Sequence, residues 1–450
     1  MKKIRMSEKG QILVLLVLVL IGLLGFTALA VDGGMIYADR RFTQSAADAS
    51  SLAGAGAAAD RAQADGIEVE NWNCSSLANS MTAAVNTAVS QASTNDYTVY
   101  QKGTPNATED NYVEVVCNSV DKYLDVIVVL SKNTTTSFVH LFNKLVPMRN
   151  TVTSIARIYP MYSLGSGYSI VALRKGPCNS PDIGVTVSGT SDVTIQIGGV
   201  WSNSCLTFNG GVNVDIDQGG IVYNRTDLPY DQNGGSGSIN PTPNDVIGWH
   251  PVTDKVFPFD KNSCGLLPSF GVMRSGGADP KVPGRYTGLD LHNNGVINLS
   301  PGLYCITGTV KMTGGEIHGR GVTIYYEGTN FTINGGVIVE LYAPNAEPAI
   351  QTAPIIPVEN HAVEDLLLYV PIEYQATIKL NGGADSMFSG TIYAPSSFIT
   401  VEGNADASTP TTYAGSIIGY DVKVAGTPGL SINYDPNQVP IVPSYLEQHK

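Results

Sequence analysis

A five-residue motif recurs seven times in this chain of 450 residues and constrains its fold more than any other feature. The motif is an apolar residue, any residue, a second apolar residue, any residue and then glycine. Its copies end at Gly189, Gly210, Gly314, Gly335, Gly382, Gly403 and Gly426. Alternating apolar residues predict a short strand with one buried face, and each glycine predicts a turn at the end of its strand.

The spacing of the motif indicates how the strands are arranged. Three neighbouring pairs of its glycines, 189 with 210, 314 with 335 and 382 with 403, are separated by 21 residues. A repeat of about 20 residues is too short for a pair of helices, and one short strand cannot bury its apolar face alone. We therefore predict a right-handed-type parallel β-solenoid in which each repeat forms one coil.

The repeats place this β-solenoid domain over residues 163–436. The motif lapses near 224–288, where prolines and glycines are frequent, and we expect an excursion of the chain from the coils there. Lys311, Lys379 and Lys423 occupy the middle position of three motif copies, between the two apolar residues. Because successive side chains of a strand point to opposite faces, these lysines are expected on the outer face of the solenoid.

The N-terminus has the composition of a membrane anchor. Residues 1–10 contain four Lys or Arg and one acid, and residues 12–31 contain no charged residue. Twenty helical residues span about 30 Å, which is enough to cross a bilayer. We expect a cytoplasmic basic segment at 1–10, a transmembrane helix at 11–31 and the rest of the chain outside the cytoplasm. The anchoring side chains are Ile12, Leu16, Leu20, Leu24, Phe26 and Val31.

Three fates of this segment remain open. A prepilin-type peptidase would cut between Gly10 and Gln11, and a signal peptidase would cut after Ala30. Leu15 stands where pilin-like proteins carry glutamate, which argues against the first cut. The apolar segment is longer than the usual core of a signal peptide, so we favour a retained helix.

Beyond the apolar segment we expect a helix extension at 32–65, because the chain is rich in alanine and has no proline before Pro105. Residues 66–162 mix helical and strand patterns, which predicts a small α/β domain. The apolar run from Leu124 to Leu130 is typical of a central strand. Residues 437–450 are expected to form a C-terminal tail. The chain as a whole is therefore predicted to be an α+β multi-domain protein.

Six cysteines are spread widely over the chain, and none lies in a CxxC motif that would indicate zinc or thioredoxin-type chemistry. Cysteines of an exported protein are expected to pair as disulfides. Many pairings are open, and we favour the sequential one because each bond then closes within one structural unit. The pairs are Cys74 with Cys117, Cys178 with Cys205, and Cys264 with Cys305.

The N-terminal region resembles a known family. Three segments carry the resemblance: Glu8-Lys-Gly-Gln-Ile12, Ala30-Val-Asp-Gly-Gly-Met-Ile-Tyr37 and Arg40-Arg-Phe-Thr-Gln-Ser-Ala-Ala-Asp48. They look like the N-terminal region of TadG-like proteins of the tight-adherence (Flp) pilus assembly systems. The resemblance implies a bacterial envelope protein with a pilin-like helix that lies in the inner membrane or packs in an assembly. The β-rich C-terminal part is similar, more loosely, to domains attached to such anchors.

Composition and motifs argue against several functions. The net charge of −13 and the lack of a basic stripe after residue 41 exclude nucleic acid as a partner. The six histidines form no HExxH motif and no i, i+4 pair, so no metal site is indicated. We identify no catalytic or cofactor-binding residues, and we expect neither a cofactor nor an enzymatic activity.

Three functions are compatible with these features. We favour a non-enzymatic, pilus-associated subunit, either minor pilin-like or acting in pilus assembly, that displays a rigid solenoid for adhesion or assembly contacts. Its partners would be the membrane and pilus or pilin-like subunits, including copies of itself. The alternative is a membrane-tethered or secreted adhesin that binds surface glycans, and the third is a β-solenoid polysaccharide lyase or hydrolase. The aromatic side chains considered for sugar stacking are Trp201, Tyr230, Trp249, Phe257, Phe259 and Tyr286.

Overall fold

The structure, a computed structural model, describes residues 9–69, 71–136, 148–178, 183–189, 192–223, 231–233, 237–245, 262–277, 279–345, 362–403, 408–426, 430–435 and 439–449. The chain divides into two compact units. The first consists of Met1–Tyr162 together with Pro443–Lys450, and the second is Ser163–Val442.

In its described residues, the first unit combines two helices with a five-stranded sheet. Its elements are α1 (Lys9–Ala64), α2 (Ala78–Thr94), β1 (Tyr100–Gln101), β2 (Tyr112–Asn118), β3 (Tyr123–Thr134), β4 (Met148–Tyr159) and β32 (Tyr445–His449). The strand order is β1-β2-β3-β4-β32, and only β1 and β2 pair in parallel. The strand expected at Leu124–Leu130 is confirmed, because it lies in β3 at the centre of this sheet.

The second half of α1 packs through small side chains. Its buried positions recur every three or four residues, which is the period of one helix face: Thr43, Ala46, Ala47, Ser50, Ser51, Gly54, Ala55, Ala58, Ala59 and Ala62. This face lies against α2, β3 and β4, and α2 presents buried Ser80, Ala84, Ala88 and Ala92 toward the unit's interior. A Cβ atom on Gly54 would lie 2.8 Å from the carbonyl oxygen of Ala84. The helices therefore approach closely because their facing residues are small.

Replacing Gly54 with valine is expected to destabilise the first unit by about 2 to 3 kcal/mol, because overpacking forces the helices apart. The matched control is Gly56→Val on the same helix, where an added Cβ would meet nothing within 4 Å. That control should change stability by at most about 0.5 kcal/mol. Amide hydrogen exchange of α2 in the full chain in detergent measures the difference. Equal exchange in the two variants would contradict the close helix packing.

Residues 437–450 do not form the expected tail. Residues 445–449 are strand β32, which pairs antiparallel with β4 at the edge of the first unit's sheet. Tyr445 lies directly opposite Tyr159, and their rings stack with centroids 4.4 Å apart. The five residues of β32 are too few to carry a pattern that predicts a strand, and the pairing is fixed by the neighbouring edge of β4. The chain thus returns to the first unit at its C-terminal end.

The second unit is β-rich. Its strands are β6 (Ile170–Ala172), β7 (Val185–Gly189), β8 (Asp192–Ile197), β9 (Val200–Ser202), β10 (Leu206–Asn209), β11 (Asn213–Gln218), β12 (Ile221–Tyr223), β13 (Asp231–Asn233), β14 (Ile239–Asn240), β15 (Asn244–Asp245), β16 (Ser269–Arg274), β17 (Gly284–Leu291), β18 (Val296–Leu299), β19 (Gly302–Ile306), β20 (Val310–Met312), β21 (Gly315–Arg320), β22 (Val322–Tyr326), β23 (Asn330–Tyr342), β24 (Leu366–Tyr369), β25 (Thr377–Gly382), β26 (Met387–Ser389), β27 (Thr391–Gly403), β28 (Thr411–Ala414), β29 (Ile417–Gly426) and β30 (Leu430–Asn433). A short helix, α3 (Asn262–Leu266), precedes β16, and the short strands β5 (Tyr162–Ser163) and β31 (Ile441–Val442) lie at the ends of the unit.

Strands β6 to β30 form one continuous 25-stranded sheet, and the ladders described within it are parallel. Strands pair in register with strands about one repeat away, as in Val310 with Phe331 and Ile378 with Ile399. All seven motif copies lie side by side in one column of strands, which we call the repeat column. Their first apolar residues follow the spatial order Val310, Phe331, Ile378, Ile399, Val422, Val185 and Leu206.

The order of the strands in space differs from their order in the sequence. The first two motif copies of the chain lie last in the repeat column, because β29 pairs with β7 through Val422 and Val185. In the next column, β30 pairs with β8 through Leu430 and Val193. The strands of residues 170–245 therefore continue the stack where residues 284–433 end it, although they come first in the chain.

The predicted excursion near 224–288 is only partly an excursion. Strand β13 extends the repeat column beyond β10, with Asp231 opposite Thr207, and β14 and β15 extend the neighbouring columns. At the other end of the stack, β16 pairs with β17. Strands β13 to β15 are short and mostly polar, so the neighbouring backbone rather than an apolar pattern determines their pairing. Residues 224–230, 234–236, 246–261 and 278 lie outside the described residues.

The motif glycines are not all turn residues. Gly189 and Gly210 have positive φ angles of 131° and 87°, as a turn requires. After Gly314 and Gly335, the positive φ falls on the next residue, Gly315 or Gly336. Gly382, Gly403 and Gly426 end strands β25, β27 and β29 and pair with one another in register. Glycine is needed at position 382 for close approach, since a Cβ there would lie 2.6 Å from the Cβ of Ser386.

The structure contains the three sequential disulfides expected from the sequence. They join Cys74 to Cys117, Cys178 to Cys205 and Cys264 to Cys305. Each bond closes a loop inside one of the two units. In the chain-entropy model a loop of a few tens of residues gives about 3 to 4 kcal/mol of stabilisation, so each bond contributes substantially to its own unit.

Candidate membrane and assembly site

The first half of α1 is an apolar surface without a covering element in the described part of the chain. Every side chain from Leu13 to Thr27 in this helix is exposed. The helix is long and apolar enough to cross a bilayer, and none of its most apolar window is buried. An exposed run of this size is unfavourable in water, because apolar surface is stabilised by removal from water. The segment therefore requires a membrane or partner helices around it.

The predicted anchoring side chains lie on this surface. Leu16, Leu20, Leu24, Phe26 and Val31 are between 43 and 75 % exposed. The side chain of Ile12 lies outside the described residues, although its backbone is helical. The five described anchor residues are thus available to lipid or to neighbouring helices.

The predicted processing positions all lie within α1. Gly10 and Gln11 follow the first helical residue, Lys9, and only their backbone is described. Ala30 is helical and exposed. A peptidase must locally unwind the helix to reach either bond, and cleavage at either position stays a prediction.

A small group of polar contacts lies where α1 begins to pack against the sheet of the first unit. The Lys132 ammonium group lies 3.1 Å from Asp39 Oδ1 and 5.2 Å from the centre of the Phe42 ring. The hydrogen bond from Lys132 lowers the pKa of Asp39 below its ordinary value of 3.8. Asn150 Nδ2 donates to the carbonyl oxygen of Ile36 at 3.5 Å. These contacts come from β3 and β4, and the sequence carried no signal that would have found them.

The outer face of the repeat column carries the three predicted lysines. In register, Lys311 is followed by Thr332, Lys379, Thr400 and Lys423. The lysines therefore occupy every second layer of the stack and alternate with threonines. Lys379 is not an isolated cation, because its Nζ atom lies 2.9 Å from Glu402 Oε2.

The aromatic residues considered for sugar stacking contribute to packing where they are described. Trp201 is buried and donates from Nε1 to Asn203 Oδ1 at 2.7 Å. Tyr286 is buried, stacks on Phe270 and donates to the carbonyl oxygen of Val282. Tyr230, Trp249, Phe257 and Phe259 lie outside the described residues.

One histidine lies between two carboxylates on the neighbouring column of the stack. His318 Nε2 is 3.1 Å from Glu316 Oε2, and His318 Nδ1 is 3.1 Å from Glu340 Oε2. His318, Glu316 and Glu340 are therefore polar partners of one another in the described structure. Within the residues that the structure describes, no group of three His, Cys, Asp or Glu side chains is placed to hold a metal ion.

The carboxyl group of Asp365, directly before the first residue of β24, has an unusual pKa. Burial, followed by the negative charges of Glu364 and Asp435, raises the pKa of Asp365 to about 7. Its backbone has a positive φ of 61°, and within the described structure its Oδ1 atom has no hydrogen-bond partner. An ionised Asp365 is therefore disfavoured in the folded state.

The stability of the second unit is expected to fall as the pH rises from about 4 to about 7, because the unfolded chain ionises Asp365 at its ordinary pKa and the folded chain does not. Asp365→Asn removes this penalty and should raise the melting temperature at pH 8 but not at pH 3.5. Asparagine tolerates the left-handed backbone at this position. The control is Asp385→Asn, where φ is 60°. Thermal unfolding of both variants across pH tests this, and parallel pH profiles for the wild type and Asp365→Asn would contradict it.

An exposed apolar helix that continues into a folded unit fits a membrane-anchored protein. Residues 10–62 match the model of the Flp pilus-assembly TadE/G-like family, which confirms the resemblance of the N-terminal region. Residues 284–438 match a domain of unknown function, DUF7305. No curated protein matches the chain in sequence.

Two solved structures are similar to this chain. An ice binding protein from an Antarctic biological consortium is 14 % identical, with a TM-score of 0.24, and the match covers 58 % of this chain and 92 % of that one. The competence-associated pilin ComZ from Thermus thermophilus is 10 % identical, with a TM-score of 0.20, and the match covers 77 % of this chain and 90 % of that one.

Proposed function

We propose that this protein is a non-enzymatic, pilus-associated subunit of the cell envelope, minor pilin-like or active in pilus assembly. Its N-terminus lies in the cytoplasm, α1 lies in the inner membrane or among pilin-like helices, and both folded units lie outside. One observation carries the proposal: the residues that match the pilus-assembly family, 10–62, coincide with α1, a helix whose first half is apolar and exposed.

The same helix suits two environments. Its first half has the exposed apolar surface that lipid or a helical fibre core would cover. Its second half is fixed to the first unit by the small residues that face α2, β3 and β4. A subunit with this construction transfers from a membrane to an assembly without refolding, since only the exposed half changes neighbours. Contacts with pilus subunits or with further copies of the chain would then use this half.

We further propose that the second unit is a right-handed-type parallel β-solenoid displayed as a rigid contact surface. Parallel, in-register pairing along the repeat column supports this, because it is how coils stack on one another. Two disulfides inside the unit add rigidity. The surface would serve adhesion or assembly contacts. A lyase or hydrolase role is not proposed, because the acids and bases that meet on the described part of the second unit, at His318, Asp290, Lys379 and Asp421, form ion pairs with one another.

The test uses native cells that produce such pili. Deleting the gene that encodes this chain should reduce the number or length of surface filaments seen by electron microscopy. Expression of the full chain in the deletion strain should restore them. A chain with Leu16, Leu20 and Leu24 replaced by arginine should not restore them, because its helix no longer enters a membrane or an apolar fibre core. Unchanged filaments in the deletion strain would refute the pilus role.

A further inference from the structure

We propose that a shallow groove at one border of the repeat column binds a linear, uncharged glycan. The groove has a volume of about 450 Å³ and is lined by Gln375, Ala376, Thr377, Ser396, Phe398 and Tyr420. None of these residues was singled out from the sequence, and the site is separate from the membrane helix. Glycan binding by the purified chain does not depend on the pilus role, so the two proposals can fail separately.

The groove crosses three successive layers of the stack. Thr377 of β25 lies opposite Phe398 of β27, and Phe398 lies opposite Asp421 of β29, beside Tyr420. Neighbouring parallel strands are about 4.8 Å apart, so the groove extends about 10 Å along the stack. One layer is comparable in length to one pyranose ring of an extended glycan. A glycan aligned with the stack would therefore place successive rings on successive layers.

The side chains of the groove match the two kinds of surface that a sugar presents. Tyr420 is 40 % exposed and Phe398 is half-buried, so both offer aromatic surface to the C–H face of a pyranose. Gln375 and Thr377 are exposed, and with Ser396 they offer an amide and two hydroxyl groups to sugar hydroxyls. Pockets of mixed aromatic and hydrogen-bonding character, with few charges, are typical of small-molecule sites.

Two ion pairs flank the groove, and Glu373, two residues before Gln375, adds an exposed negative charge nearby. Arg174 Nη1 lies 2.9 Å from Asp421 Oδ2, and its guanidinium group lies 5.3 Å from the centre of the Tyr420 ring. On the other side, Lys379 is paired with Glu402. An anionic polymer would have to break these ion pairs to gain its own, whereas a neutral glycan leaves them intact. The neighbouring charges therefore favour an uncharged ligand over an anionic one.

The walls of the groove are fixed before any ligand arrives. The Phe398 amide donates to the Ala376 carbonyl oxygen at 3.1 Å, and the Ala376 amide donates to Ser397 Oγ at 3.1 Å. Ser397 Oγ also donates to the carbonyl oxygen of Tyr374 at 3.5 Å. The segment that carries Gln375 and Thr377 is thus tied to β27. A rigid site loses less entropy on binding, which compensates for its shallowness.

Calorimetry on the full chain in detergent, with cellohexaose and chitohexaose as probes, tests the proposal. At least one should bind, and Tyr420→Ala and Gln375→Ala should each weaken binding by roughly tenfold or more. Lys311→Ala, on the same column away from the groove, should leave binding unchanged. Gln375 is exposed, so its variant retains the fold and isolates the contact.

Three results would overturn the proposal. The first is that neither neutral hexasaccharide binds at millimolar concentration. The second is that binding survives both Tyr420→Ala and Gln375→Ala unchanged. The third is that a galacturonate hexamer or an uncharged extended peptide binds this groove more tightly than either neutral hexasaccharide.

Discussion

Replacing Val424 with aspartate is expected to unfold two segments of the second unit together, residues 170–245 and residues 284–433. Val424 is fully buried in β29, where it lies opposite Val401 on one side and Val187 on the other. An aspartate there buries an unpaired carboxyl group, at a cost of about 4 kcal/mol or more. Because β29 joins residues 170–245 to residues 284–433, hydrogen-exchange protection should fall in both segments. The first unit, which has its own core, should keep its protection.

The matched control for this prediction is the adjacent residue. Lys423 lies next to Val424 in β29 but on the opposite face of the strand, and it is partly exposed. Lys423→Asp should therefore change stability by no more than about 1 kcal/mol, the range of a surface ion pair. If Val424→Asp lowered the hydrogen-exchange protection of residues 284–433 only and left residues 170–245 protected, the pairing of β29 with β7 would be wrong.

Placing arginines at Leu16, Leu20 and Leu24 is expected to release the chain from membranes. Each arginine near the centre of a spanning helix costs about 2.5 to 3.5 kcal/mol on the insertion scale, and three of them exceed what the remaining apolar residues supply. All three leucines are exposed in the structure, so the substitutions should not disturb either folded unit. After an alkaline carbonate wash, the variant should be in the supernatant and the wild type in the pellet.

A second triple variant controls for added positive charge. Ser45, Asp60 and Gln63 are exposed positions in the second half of α1, beyond the apolar segment. Arginines at these three positions should leave the chain in the pellet. Retention of both triple variants in the pellet would show that another part of the molecule holds the protein on the membrane.

The elements with the strongest periodic signal are the ones that the sequence predicted well. In all seven copies of the motif both apolar side chains are buried, and all seven copies lie in the repeat column. The uncharged segment before Asp32 likewise predicted an exposed helix. Both signals depend on which side chains avoid water, and that property is local to each segment.

The spatial order of the strands was not predictable in the same way. Val422 and Val185 are equally good neighbours for any other strand of the repeat column, because each offers the same alternation of apolar residues. Only the chain connections and the fit of the whole stack decide that β29 meets β7. A motif therefore identifies which strands belong to a column without specifying their order in it.

Two further features carried too weak a signal. The buried face of α1 consists of small residues such as Ala47 and Gly54, whereas the larger Phe42 and Leu52 remain exposed, so a search for large apolar residues finds the wrong face. The groove beside the repeat column is assembled from three layers, and Gln375 and Tyr420 are 45 residues apart in the chain. Side chains that meet only through stacking leave no local pattern.

Fractionation of native cells, with identification of the N-terminal residue in each fraction, shows whether the mature protein keeps the first half of α1. We expect the chain in the membrane or in sheared filaments, beginning no later than Gln11, so that the apolar first half of α1 is retained. A chain that begins at Val31 and is found in the culture medium would refute the proposed pilus role, because the protein would then have lost the apolar half of α1.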